Sequence, residues 1–153
     1  MRAGGVSPGV DEAGLLTVGP ESAGADPGPM AYGLSGTEPT VTDAALVNGL
    51  IDPDYFLGGE TRLYLELARK GVGSIAERLK LNLHQAADGI LAIARNNMTT
   101  ATTKILIGQG YDPRDFTIMA FGGGGGIFAG NIAKDMSISR VIIPPGPGVF
   151  CAT

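Results

Sequence analysis

Tryptophan is absent, and cysteine and histidine occur once each, as Cys151 and His84. A single thiol excludes a disulfide framework and a thiol-rich metal site, and a reducing cytoplasm suits such a chain. Charge is scarce too. Only 17% of the residues are charged, eleven basic against fifteen acidic, and the lysines and arginines form no cluster. That balance argues against a nucleic-acid partner or an anionic membrane surface. No run of about 18 apolar residues is present, and Met1–Gly9 lacks the apolar core of an export signal.

Apolar residues make up 44% of the 153. With so few charges to cover a surface, part of that surface is expected to face another protein. A chain of this length can still bury about two-thirds of its unfolded surface.

Glycine and proline recur through Val6–Gly36, most densely in Val18–Pro29. This stretch offers neither a helix period nor a strand period and reads as loop. Compact domains seldom carry loops beyond about 15 residues, and this one lacks the charge of a disordered tail, so it is expected to lie against something the chain does not supply.

Order is expected from Glu38 onward. Asp43 follows Thr40 and Thr42 and would cap a brief helix through Ala44, Leu46 and Val47 that Gly49 ends; Asp52-Pro53 opens another turn. Leu65, Ala68, Val72, Ile75 and Leu79 recur at three- and four-residue steps and predict a helix over Thr61–Leu79. Gly71 and Gly73 inside it point to a kink or a close contact. Asn82 and Gln85 stand at capping-box spacing and open a second helix to about Ile107, with Ile90, Ala94, Met98, Ala101 and Ile105 on its inner face. Gly108 and Gly110 close it.

The last third reads as a βαβ unit. Thr117–Phe121 is an almost continuous apolar run of the kind found in strands covered on both faces; a helix over Ile127–Met136 and a strand over Val141–Ile143 follow. The two strands should be parallel.

Between the first strand and its helix stand Gly122, Gly123, Gly124, Gly125 and Gly126. Ordering five glycines costs on the order of 3–5 kcal/mol more than ordering five alanines, which a bound ligand would offset. A turn without Cβ atoms lets backbone N–H groups and a helix N-terminus approach a phosphate or ribose, so a nucleotide is the expected ligand. A flexible linker is the alternative, but linkers do not join a buried strand to its own helix.

Gly124, Gly126 and Ala129 fit G-x-G-x-x-A, yet Ile143-Pro144-Pro145-Gly146 holds no acid where a dinucleotide site needs one. No Gly-Lys-Ser/Thr follows the run, which excludes a P-loop. Asp43 either orients a Mg²⁺-bound water or a phosphate together with Thr40 and Thr42, or serves only as a cap. His84 reads as an exposed first-turn residue, Asn97 as a core amide or a subunit contact, and Cys151 as a bystander.

Four segments, Val18–Pro29, Gly36–Ala44, Gly110–Thr117 and Phe121-Gly122-Gly123, together with Pro144–Phe150, resemble the central part of the A-type chains of the hydantoinase/oxoprolinase family. The resemblance runs in order along nearly the whole chain. It implies an α/β fold: a partial actin-like (ribonuclease H-like) ATPase lobe with two long helices and a C-terminal βαβ unit. It also implies ATP and Mg²⁺ as cofactors, Thr40, Thr42 and Asp43 as the second phosphate-contacting element, and Gly122–Gly126 as the adenosine-contacting one.

Members of the family phosphorylate an amide or enolate oxygen, so that a lactam opens or a ketone is carboxylated. The sequence departs from the family at Phe128, where a histidine is usual, and at Met30-Ala31, where Ala-Cys is usual. The family's Asp-x-Gly-Gly-Thr phosphate loop does not occur in these 153 residues. The resemblance therefore implies a small subunit of a heteromeric ATP-dependent carboxylase acting on an aromatic ketone, obligately joined to larger hydantoinase-type subunits. In it, residues 1–37 would pack on the partner and residues 38–153 would form the C-terminal lobe. A ring-opening hydantoinase or oxoprolinase subunit, and a structural subunit without nucleotide contact, are the other readings.

Overall fold

The computed structural model describes residues 5–122 and 124–147. The chain divides between Ala94 and Arg95 into two compact units.

The first unit begins with an antiparallel hairpin, not a loop. Strand β1 (Val6–Val10) pairs with β2 (Leu16–Ser22), and Val10 faces Leu16 across a turn held by Asp11. The Asp11 carboxylate accepts the Leu15 amide at 2.9 Å, and Gly14 supplies a positive φ of 81°. The sequence hides this hairpin because Pro8, Gly9, Gly19 and Pro20 break the alternation, and Pro8 opposite Val18 is the pair that is buried.

Helix α1 (Val41–Val47) is buried at all seven positions. It begins before Asp43, with Thr40 as its N-cap; Asn48 is the C-cap and Gly49 follows at φ 69°. Asp52 holds its own turn by accepting the Asp54 amide at 2.9 Å.

Helix α2 (Leu65–Leu79) starts four residues later than the periodicity predicts and ends where predicted. Its inward stripe is Ala68, Val72 and Ile75, joined by Gly71 and Ala76. Helix α3 (Leu83–Gly108) opens with the capping box foreseen: the Gln85 side chain accepts the Asn82 amide at 3.1 Å, and Asn82 accepts the Gln85 amide at 2.9 Å.

The inner face drawn along α3 holds for Ile90 and Ala94, is half-buried at Met98 and Ala101, and fails at Ile105. Ile105 is 61% exposed, and the residue that packs in the second unit is its neighbour Leu106. Asn97 is exposed, so it is no core amide.

In the second unit, β3 (Ile118–Met119) and β4 (Val141–Ile142) pair in parallel, Ile118 with Val141 and Met119 with Ile142. Helix α4 (Gly125–Asp135) lies between them in sequence and completes the expected βαβ order. Ala133, Met136 and Ile138 form a small core with Leu106, Ile118 and Ile132 against it, and Arg95 on α3 pairs with Asp135 at 3.1 Å. The strands are not covered on both faces: Met119, Ile142 and Ile143 are about half exposed or more. Among the described residues no helix is long and apolar enough to cross a membrane.

Candidate functional site

Two groups of residues were singled out by sequence, and the fold puts them in different units: Thr40, Thr42 and Asp43 in the first, the glycine run in the second.

Asp43 is the third residue of α1, and the Thr40 hydroxyl accepts its amide at 3.4 Å while its own carboxylate reaches back to the Thr40 amide at 2.7 Å. That is a complete capping box. The same carboxylate also accepts the Thr40 hydroxyl at 3.0 Å, the Met30 amide at 3.2 Å and the Ala31 amide at 2.8 Å. Both Asp43 and Thr40 are 0% exposed, and Thr42 is buried. Burial drives the Asp43 carboxyl above its ordinary range, against the opposing pull of the Ala31, Thr40 and Met30 hydrogen bonds. Burial, and then the nearby Asp43 charge, raise the Tyr32 phenol as well.

The partner of this carboxylate is the glycine-proline loop. Residues Gly28–Ala31 are buried within the unit, and the Ala31 carbonyl accepts the Tyr64 amide at 2.8 Å just ahead of α2. Close packing explains the loop's glycines. A Cβ on Gly28 would lie 2.9 Å from the Ala25 carbonyl, and one on Gly36 only 2.7 Å from the Gly28 carbonyl. The Tyr32 and Phe56 rings lie tilted against each other nearby, their centroids 5.8 Å apart. An open trough of about 270 Å³ runs between this loop and the hairpin, bounded by Ser7, Glu21, Ser22, Gly28, Gly36 and Glu38. Nothing in the spacing of those residues announced it.

The second group is a strand-to-helix turn. Gly122 takes φ 79° and donates its amide to the Pro147 carbonyl at 2.6 Å; Gly124 caps α4, which starts at Gly125. Gly123 lies outside the described residues, as does Cys151. Among the described residues a Cβ on Gly122 or Gly126 would meet nothing within 4 Å; the positive φ calls for glycine at Gly122, and at Gly126 no contact does. Phe128, at the family's usual histidine position, is 4% exposed and belongs to the core. His84 is exposed, its Nδ1 2.8 Å from the Asn48 amide oxygen, while the Asn48 amide group donates to Asp88 at 2.7 Å. Among the described residues no three His, Cys, Asp or Glu side chains are grouped to hold a metal ion.

The sequence profile of the hydantoinase/oxoprolinase family matches residues 2–153. The chain belongs to this family. It is 42% identical over 151 residues to the acetophenone carboxylase gamma subunit of Aromatoleum aromaticum, covering 97% of this chain and 20% of that one. The alpha subunit of caprolactamase from Pseudomonas jessenii is 40% identical over 150 residues, covering 97% of this chain and 22% of the relative. The crystal structure of that ATP-dependent caprolactamase superposes with a TM-score of 0.88 at 39% identity, over 98% of this chain and 22% of its own. A nucleotide-free acetone carboxylase structure gives the same TM-score at 26% identity, over 99% and 22%. The chain thus spans about one fifth of the length of these relatives, and the mixed α/β fold is shared with them.

Proposed function

We propose that this chain supplies the nucleotide-facing part of an actin-like ATPase lobe within a heteromeric ATP-dependent enzyme. The observation that carries the reading is the glycine turn before α4. Open space beside Gly126, in a first turn with no side-chain cap, leaves the N-terminus of α4 accessible, which suits the adenosine side of an ATP site. The phosphates and Mg²⁺ would be gripped by the Asp-x-Gly-Gly-Thr loop, absent from these residues, on a larger hydantoinase-type polypeptide. When bound, ATP would phosphorylate an enolate or amide oxygen and make it a leaving group.

The likeness to the acetophenone carboxylase gamma subunit favours an aromatic ketone such as acetophenone as the substrate, carboxylated through its enolate. The likeness to caprolactamase supports lactam opening in the same measure. The matched stretch is one fifth of much longer subunits, which supports a role as one section of such an ATPase, whether on a small subunit or a longer chain. Leu15 and Leu34 are exposed, and residues 1–37 would use such a surface to pack on the rest of the assembly. A purely structural role is the second reading, favoured by the burial of Phe128 where the family's usual residue is histidine.

Reconstitution tests this. ATP hydrolysis should require both this chain and the polypeptide carrying the phosphate loop, and acetophenone or a lactam should stimulate it. Hydrolysis by the isolated chain at the rate of the assembly would overturn the proposal.

A further inference from the structure

A buried carboxylate that touches no solvent needs a use inside the protein. Asp43 has two oxygens and about four lone-pair sites, and four donors reach them at 2.7–3.2 Å: the amides of Met30, Ala31 and Thr40 and the Thr40 hydroxyl. Three of the donors crowd Oδ2 and the Ala31 amide takes Oδ1, and with the side chain 0% exposed the carboxylate faces protein and not an open ligand space. Three of the donors are backbone N–H groups, which an acceptor-only side chain satisfies and an amide side chain cannot, because one of its two heads carries hydrogens. Two of those amides belong to the glycine-proline loop, twelve and thirteen residues earlier in the chain.

We propose that Asp43 is a positioning residue: together with Thr40 it clips the Gly28–Tyr32 loop to the start of α1, and so fixes the loop wall of the trough bounded by Ser7, Glu21 and Glu38. The clip works from one side and the Tyr64 amide, bonded to the Ala31 carbonyl, from the other. Between them the main chain of Met30 and Ala31 has no freedom to swing, and Gly28 and Gly36 stand close enough that only hydrogen fits at their Cα. This assignment rests on the first unit alone and is independent of whether the glycine turn binds a nucleotide. It reassigns Thr40 and Asp43 from ligand contact to loop support.

Amide exchange and the carboxyl ¹³C signal of Asp43, recorded by NMR on the labelled chain assembled with the polypeptide that carries the phosphate loop, with and without ATP and Mg²⁺, test the assignment. In the native chain the Met30, Ala31 and Thr40 amides should be protected, and the Asp43 signal should not respond to nucleotide. In Asp43→Asn the amide oxygen keeps the three donors at the Oδ2 position and the NH₂ group faces the Ala31 amide, which should exchange about tenfold faster or more while the amides of the α3 interior keep their rates. Asp43→Glu, which restores the acceptors at a longer reach, should recover part of the protection. Unprotected loop amides in the native chain, unchanged exchange in Asp43→Asn, or a carboxyl signal moved by ATP and Mg²⁺ would each overturn the clip. Should Asp43→Asn not fold, the native-chain measurements decide alone, since a ligand-contacting carboxylate would respond to nucleotide and a clip would not.

Discussion

Gly71 sits on α2 directly beneath Met30: a Cβ placed on it would lie 2.5 Å from the Met30 sulfur and 3.0 Å from Pro39 Cβ. Glycine in a helix interior costs about 1 kcal/mol relative to alanine, so the position looks improvable by propensity alone. Packing reverses that. Gly71→Ala should destabilise the chain by about 1–3 kcal/mol through overpacking, because Met30 can yield but the Pro39 ring cannot. Gly73, with nothing within 4 Å of its Cβ position, should behave oppositely, and Gly73→Ala should stabilise by about 0.5–1 kcal/mol. Urea unfolding of the two variants compares them; equal effects would mean that the loop does not press on α2.

The reciprocal bonds of Asn82 and Gln85 satisfy orphan donors of the α3 N-terminus. Asn82→Ala should cost about 1 kcal/mol in chemical denaturation. Asn82→Asp should retain most of the stability, since aspartate caps as well and adds a favourable charge at the helix start. A loss as large in Asn82→Asp as in Asn82→Ala would show that the cap is not what holds this end.

These two cases mark what could be read from sequence and what could not. Asn82 with Gln85 was legible because a capping box is local, as was the parallel βαβ order around Ile118 and Val141. The clip at Asp43 was not, because its loop partners Met30 and Ala31 lie twelve and thirteen residues away in a stretch with no period. The sequence left Asp43 as a cap or a phosphate contact; its carboxylate bonds the Met30, Ala31 and Thr40 amides. The hairpin was missed for a related reason, since prolines and glycines in β1 and β2 erase the alternation on which strand recognition depends. On α3 the periodicity was real, but in the second unit it is Leu106 that packs on the small core, and Ile105 is left exposed.

Asp112 and Arg114 form a forked pair on the surface, with the guanidinium 2.6 Å from the carboxylate. Hydrogen bonds from the Arg114 side chain, then from its backbone amide, hold the Asp112 carboxyl at about 2. A depressed folded value means that the pair's contribution is present above the unfolded value and fades as pH falls from about 3.8 towards about 2. Both groups are exposed, so added salt should move the Asp112 titration upward, and Arg114→Ala should return it to the ordinary carboxylate range. NMR titration of the Asp112 carboxyl reads both effects; a midpoint that ignores Arg114→Ala would rule the pair out as the cause.

Gly126 separates the two functional readings. It lies in the first turn of α4, is exposed, and would carry a side chain into open space. Valine there therefore has no internal clash to cause, and helix propensity favours it slightly over glycine, so the melting temperature should hold or rise. If adenosine lies against this turn, the isopropyl group fills space the nucleotide needs, and the assembled enzyme should lose ATP affinity by about tenfold or more while its subunits still copurify. Gly73→Val, also free of contacts but on α2, controls for the added bulk. An assembly with Gly126→Val that turns over ATP at the unmodified rate and KM would leave the structural-subunit reading standing, since the open space at the turn would then have no ligand to explain it.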